Sequence, residues 1–337
     1  MMELNERYIH GALSVEAGER GLLPRRFTEE QLDGYRVSEL RQKLARSCAG
    51  VTVEFDTDAR WAEVSLYLRF VRPGRQVSFT LYADGNHAGT LTFPTACEGE
   101  MMKARFRLPG RACRAQIWLD PLALTEVTGL DVSPGAYVKP VPARRGLYMA
   151  FGDSITQGMQ AADAPARPYP MQIARALDTE LMNLGVCGGT FQPGLMRDVG
   201  LCPSLISVAY GVNDRNLVDT RAHFEENVTG FFEGLEALYP GVPTLVVLPL
   251  LCTQDGDTSR FATLQEIRCI IREAAQAHPG LCVLPGQDFM PLDTFFFRDG
   301  IHPTDAGFDR MTGLLLDAFS ELLGRTERKT PAAARRD

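Results

Sequence analysis

The chain is 337 residues long, 45% hydrophobic and 23% charged, with 35 lysines and arginines against 42 aspartates and glutamates and a net charge of −7. Those proportions are those of a globular protein long enough for two domains, and the acidic balance argues against a nucleic-acid binder, whose footprint is a basic face. No run approaches the roughly 18 apolar residues of a membrane span, and Met1 to Gly11 carries Glu3, Glu6 and Arg7 without the apolar stretch of a signal peptide. The eight cysteines, at 48, 97, 113, 187, 202, 252, 269 and 282, include no C-x-x-C pair. They read as reduced core residues of a cytoplasmic protein, not as a disulfide framework or a metal site.

Up to about residue 140, short runs alternate apolar and polar with period two: Val51–Phe55, Val64–Phe70, Val77–Tyr82, Gly89–Phe93, Lys103–Leu108 and Arg114–Leu119. Such runs predict half-buried strands. Asp84-Gly85 between the third and fourth predicts a two-residue hairpin, because glycine tolerates positive φ. The expected unit is a jelly-roll-like antiparallel β-sandwich over residues 1–137. On its strands Trp61 and Trp118 are either core residues or a sugar-stacking surface. An exposed sandwich face could also serve a homo-oligomer. The proline-punctuated, basic stretch 138–145 is expected to be a linker.

Beyond it, strands and helices alternate. Apolar runs predict strands at 146–151, 180–184, 204–210, 243–249 and 281–284, with helices near 168–178, 220–238, 260–277 and 305–323. Alternation of this kind specifies an α/β unit, a flavodoxin-like three-layer α/β/α arrangement around a parallel sheet, here over residues 146–325. With strand order 2-1-3-4-5, a crevice opens at the carboxyl edge between the first and third strands. The stretch 326–337 is expected to be a disordered tail. His10, His87, His223 and His278 lie outside any constellation and are expected at the surface.

Four loops in this second half carry chemistry. Gly152-Asp153-Ser154-Ile155-Thr156-Gln157-Gly158 sets a serine where the first strand ends. A serine is inert at neutral pH without a base, an orienting acid and donors for an oxyanion. Asp299-Gly300-Ile301-His302-Pro303 supplies acid and base on one loop, where the carboxylate can take the Nδ1 proton and turn Nε2 toward Ser154. Asn183-Leu184-Gly185-Val186-Cys187-Gly188-Gly189 offers an unhindered backbone N–H at Gly188, and Gly211-Val212-Asn213-Asp214 offers a side-chain amide. The oxyanion hole expected is Ser154 N–H, Gly188 N–H and Asn213 Nδ2. Asp153 and Thr156 are expected to brace the turn; Asp214 and Arg215 are read as solvated loop residues with a cleft-lining alternative. Phe295-Phe296-Phe297 could border an acyl pocket, with at least one ring buried as an anchor, and Gln160 to Pro168 could form a wall of the cleft.

The four blocks, in this order and spacing, resemble those of the SGNH (GDSL) hydrolase family over about residues 146 to 325, and the β-sandwich ahead of them is similar to the arrangement in carbohydrate esterases. The resemblance implies Ser154 as nucleophile, His302 and Asp299 as the other triad members, and Gly188 and Asn213 as oxyanion donors. Cys187 departs from it, since many members carry a small polar residue there; altered packing is expected, not altered mechanism. The implied function is a serine esterase acting on a small acyl group, acetyl first, of a glycan or small glycoside. An acyltransferase with the same triad is the alternative, and a non-catalytic glycan-binding module a third reading. No phosphate-cradling loop or metal-ligand cluster is visible, so no cofactor, metal, nucleic acid or membrane partner is expected.

Overall fold

In a computed structural model, residues 4–161, 165–257 and 259–329 are described, with the backbone alone for 325–329. The first part of the chain gives β1 (Ile9–His10), β2 (Ser14–Ala17), β3 (Leu22–Arg25), α1 (Glu39–Ala45), β4 (Thr52–Thr57) and β5 (Trp61–Val71). It continues with β6 (Val77–Ala83), β7 (Asn86–Phe93), β8 (Met101–Arg107), β9 (Cys113–Trp118), β10 (Ala123–Val132) and β11 (Val138–Pro140). These strands form two antiparallel sheets, β1-β4-β9-β6-β7 with β11 beside β4, and β2-β3-β10-β5-β8. The period-two pattern is realised on β8, where Met102, Ala104 and Phe106 turn inward and the residues between them face solvent. Val53, Phe55, Val64, Leu66, Phe79, Leu81 and Ile117 fill the space between the sheets. Asp84 and Gly85 both take positive φ, 48° and 75°, in the two-residue turn between β6 and β7.

The second part gives β12 (Leu147–Gly152), α2 (Ser154–Gln157), α3 (Tyr169–Ala176), β13 (Glu180–Gly185), β14 (Leu205–Ala209), α4 (Asp214–Leu217) and α5 (Arg221–Leu238), then β15 (Thr244–Val247), α6 (Leu264–Gln276), β16 (Leu281–Leu284) and α7 (Asp305–Lys329). All five strands are parallel, in the order β13-β12-β14-β15-β16, which is the expected 2-1-3-4-5. Alternate residues of β12 feed opposite layers. Met149 and Phe151 pack with Phe231 of α5 and Ile267 of α6. Tyr148 and Ala150 pack with Met171 of α3 and Phe308 and Phe319 of α7. A strand covered on both faces reads as a continuous apolar run, and that is how Leu147–Phe151 reads.

Several expectations need correcting. Val138–Pro140, inside the stretch expected as linker, is strand β11 paired antiparallel with β4. The helix α7 runs to Lys329, so residues 326–329 of the expected tail are helical; 330–337 lie outside the described residues. His10 is buried against Glu180, with Nδ1 to Oε1 at 3.2 Å, because β1 inserts beside β4. His278 is half-buried and bonds Glu236 Oε2 at 2.6 Å, while His87 and His223 are exposed. None of the eight cysteines forms a disulfide among the described residues, and Cys97 and Cys202 are exposed, not core. Trp118 is core, its Nε1 donating to Gln116 Oε1 at 3.0 Å, and the face of Trp61 is covered by the Arg105 guanidinium at 4.2 Å.

The segment from β3 up to β4 belongs to neither expected unit by itself. Leu23, Phe27, Leu32, Tyr35 and Leu44 pack in the same core layer as Phe151, Val186 and Tyr210 of the α/β part. Arg26, fully buried, donates to the carbonyls of Leu44 (3.0 Å), Ala45 (2.9 Å), Ser47 (2.6 Å), Asn183 (2.6 Å) and Gly185 (3.0 Å). It thereby ties this segment to the end of β13, where the second motif loop begins. Burial lowers its pKa to about 10, which leaves the cation intact at neutral pH.

Candidate active site

The turn that carries Ser154 follows from where β12 stops. Asp153 caps α2 by accepting the Ile155 N–H on Oδ1 at 2.9 Å. Burial pushes its carboxyl up to about 7. Gly152 is required by space: a Cβ there would lie 2.0 Å from Thr156 Oγ1. Thr156 in turn bonds the Tyr169 hydroxyl at 2.8 Å, so Asp153 and Thr156 brace the turn. The residue that binds the turn to the rest of the molecule is Gln157. Its Nε2 donates to Leu44 O (2.8 Å), Ser47 Oγ (2.8 Å) and Pro121 O (3.1 Å), and its Oε1 accepts the Cys187 N–H at 2.6 Å. One buried amide therefore fixes the first and second motif loops and the N-terminal segment together.

Ser154 Oγ stands 2.9 Å from His302 Nε2, and His302 Nδ1 stands 2.8 Å from Asp299 Oδ2. The other carboxylate oxygen of Asp299 accepts the N–H groups of Ile301 (3.1 Å) and His302 (2.8 Å), closing the loop on itself. Partial burial works against the Asp299 carboxylate, but the backbone and ring hydrogen bonds from His302 outweigh it and hold its pKa below the usual value. Gly300 takes φ +77° in this loop and its carbonyl accepts Thr253 N–H at 2.9 Å. Phe297, buried, anchors the approach to the loop, Phe296 is half-buried and Phe295 is 67% exposed.

Ser154 is the first residue of α2, so its N–H lies among the unpaired donors of a helix start. Gly188 takes φ +75°, a conformation glycine adopts without strain. Asn213 Nδ2 donates to Gly189 O at 3.1 Å, which joins the second and third motif loops and uses one of the two amide hydrogens. Asp214 and Arg215 are not solvated. Asp214 Oδ1 accepts Phe191 N–H at 2.9 Å, and Arg215 donates to Gln254 O (2.7 Å) and Oε1 (2.8 Å). The single turn of α4 directs both side chains inward, where they hold flanking loops; burial pushes the Asp214 carboxyl up to about 7. Cys187 is buried beside Gly188, its thiol pushed up to about 12 by burial. Of the expected cleft wall, Gln160 Nε2 reaches Asp299 Oδ2 at 3.4 Å, while 162–164 lie outside the described residues. Among the described residues no three His, Cys, Asp or Glu side chains converge as metal ligands, and no helix is long and apolar enough to cross a membrane.

Gln157 and Arg26 were not singled out from sequence, and only the position of Gln157 inside the first motif could have flagged it. Its four partners lie 30 to 113 residues away.

Residues 150–310 match the model of the GDSL-like Lipase/Acylhydrolase family. No curated protein matches the chain. Among solved structures, a salicylyl-acyltransferase, SsfX3, from a tetracycline biosynthetic pathway superposes with a TM-score of 0.76 at 20% identity, over 90% of this chain and 91% of that one. A family two carbohydrate esterase from Clostridium thermocellum, in complex with cellohexaose, gives 0.68 at 14% identity over 94% and 99%. An acetyl xylan esterase from the rumen bacterium Butyrivibrio proteoclasticus gives 0.63 at 14% identity over 95% and 97%. At such identities the likeness is one of fold.

Proposed function

We propose that Ser154 is the nucleophile, His302 the general base and Asp299 the acid that orients His302 in a carboxylic ester hydrolase whose residues 150–310 match the GDSL-like lipase/acylhydrolase family. The observation that carries the assignment is the unbroken relay from Ser154 Oγ through the imidazole to Asp299 Oδ2, 2.9 and 2.8 Å long. In this reading His302 takes the Ser154 proton as the hydroxyl attacks the ester carbonyl, and Asp299 stabilises the imidazolium. Ser154 N–H, Gly188 N–H and the second amide hydrogen of Asn213 receive the oxyanion. His302 then protonates the leaving alcohol, and water releases the acid from the acyl-serine. Residues 146–325 act as the catalytic unit and 1–137 as an accessory unit that supports it through Arg26 and the partners of Gln157.

The substrate proposed is a small acyl ester, acetyl first, on a carbohydrate or glycoside. Its support is the likeness, along more than nine-tenths of the chain, to carbohydrate esterases including an acetyl xylan esterase. The second reading is acyl transfer to an alcohol other than water, favoured by the likeness to the salicylyl-acyltransferase. Hydrolysis of p-nitrophenyl esters from acetyl to octanoyl, by wild type and Ser154→Ala, tests the first reading: Ser154-dependent turnover confined to the shortest esters is expected. A rate rising with chain length rejects the small-acyl assignment. Transfer product formed with an added sugar alcohol, in excess over hydrolysis, decides for the second reading.

A further inference from the structure

Thirteen of the 31 arginines pair with carboxylates among the described residues, for example Arg25 with Glu16, Arg46 with Glu29, Arg69 with Glu126, Arg144 with Glu54 and Arg268 with Asp255. Three at the candidate site are not so paired among the described residues. Arg72, in the loop between β5 and β6, donates from Nη1 to Met159 Sδ and, at 3.8 Å, to Cys187 Sγ. Both are sulfur atoms, weak acceptors for a cation. Arg75, three residues on, donates from Nη1 to the neutral Gln160 Oε1 at 3.1 Å, and its buried Nε has no partner among the described residues. Arg41, on α1, places Nε 3.0 Å from the point where a Cβ on Gly188 would stand. Its backbone N–H bonds Ser38 Oγ, and among the described residues no carboxylate pairs with its side chain.

Among the described residues the acids near Arg72 and Arg41 are engaged elsewhere, and the buried Asp120 acts on Arg75 only through its charge. Asp299 is engaged by His302 through both oxygens, and Asp153 is buried and turned to Ile155 N–H. The Cys187 thiol stays neutral, since burial raises its pKa to about 12. Arg72 and Arg41 thus meet the adjacent residues Cys187 and Gly188 from outside the α/β part, and Arg75 reaches Gln160, which itself bonds Asp299 Oδ2. A guanidinium held without an anionic partner is costly to desolvate unless a ligand supplies one. Its planar fork matches a carboxylate, which accepts two parallel N–H bonds.

We infer that the ester substrate carries, apart from its scissile group, a carboxylate bound by Arg72 and Arg41, with Arg75 behind them. The inference rests on Ser154 being the nucleophile and names the substrate class of that same site. An acidic sugar ester or a dicarboxylic half-ester has this chemistry, and the two differ in which side of the scissile bond bears the charge.

Two matched ester pairs test it. p-Nitrophenyl hemisuccinate against p-nitrophenyl pentanoate puts the charge on the acyl side, and 4-acetoxybenzoate against its methyl ester puts it on the leaving group. The readout is the ratio of kcat/KM for charged over neutral ester, so a general loss of activity does not enter. Wild type is expected to favour the charged member of one pair by about tenfold or more, the scale of charge-assisted hydrogen bonds. Arg72→Gln and Arg41→Gln should collapse that ratio through KM, Arg72→Lys should keep part of it, and about 1 M salt should reduce it as the Debye length falls to roughly 3 Å. Ser154-dependent hydrolysis indifferent to charge in both pairs, or an unchanged ratio in Arg72→Gln and Arg41→Gln, overturns the inference and leaves the catalytic reading standing. Hydrolysis that survives Ser154→Ala overturns the catalytic reading and the inference with it.

Discussion

Every residue from Gly152 to Gly158 is buried, whereas Asp299 to His302 is exposed or half-exposed. The serine side of the relay is held by long-range contacts: Gln157 alone reaches Leu44, Ser47, Pro121 and Cys187. The histidine side is held mainly by itself, through the Asp299 carboxylate and the N–H groups of Ile301 and His302. A nucleophile needs a fixed position for a short oxygen, and burial supplies that. An imidazole needs orientation and access to substrate and water, which a closed local turn supplies without burying the ring. The two halves should therefore fail differently when broken.

The largest effect is expected from Ser154→Ala and His302→Ala, each lowering kcat by about 10⁴-fold or more, since triad members act as a unit. A much smaller loss in either would mean that the relay is not the reacting group. Asp299→Asn comes next, at about 10²- to 10⁴-fold in kcat, and here the contrast is sharp: urea unfolding should change by no more than about 1 kcal/mol, the worth of an exposed loop hydrogen bond. Asn213→Ala should raise the barrier by about 3 to 4 kcal/mol if its free amide hydrogen meets the oxyanion. Retention of the rate within threefold removes it from that role. On the serine side, Gln157→Leu leaves the buried Cys187 N–H without its acceptor and removes a donor shared by Leu44 O, Ser47 Oγ and Pro121 O, and should cost about 2 to 4 kcal/mol of folding stability along with activity. Equal stability to wild type would show that the buried amide does not tie the loops.

The smallest effect is in pH. Burial raises the Asp153 carboxyl from 3.8 to about 7 in the folded protein. Between about pH 4 and pH 7 the native state keeps a proton that the unfolded chain has released, so this group's contribution to stability falls as pH rises through that window. Asp153→Asn keeps an oxygen for Ile155 N–H and has no such proton. Its melting temperature should decline less than that of wild type from pH 4 to pH 7, and parallel curves would refute the raised carboxyl.

Much of the second half was legible because local rules govern it. The five parallel strands fall on apolar runs, four of which end in glycine-bearing turns, and Asp299 lies three residues before His302, within reach of a turn that needs no tertiary help. The hairpin at Asp84-Gly85 was legible for the same reason. Less legible was whatever depends on a partner far along the chain. Asp214 and Arg215 read as polar loop residues, yet α4 buries both, because the loops at Phe191 and Gln254 supply the atoms they need. The edge strand Val138–Pro140 contains a proline and pairs only because β4 is open beside it. The segment 22–49 has no clear period, since its apolar side chains face a core made mostly by residues 149–275.

By itself, then, the sequence determined the alternating α/β order, the strand-end serine, and the aspartate and histidine that share one loop, all set by spacings of a few residues and by φ preferences. Tertiary structure alone decided that Arg26 and Gln157 bolt the N-terminal segment to the motif loops, and that Arg41, Arg72 and Arg75 stand at the site without a carboxylate ion pair among the described residues. Hydrogen bonds and charge pairing depend on distance in space, and across more than 100 residues of chain no local pattern encodes that distance.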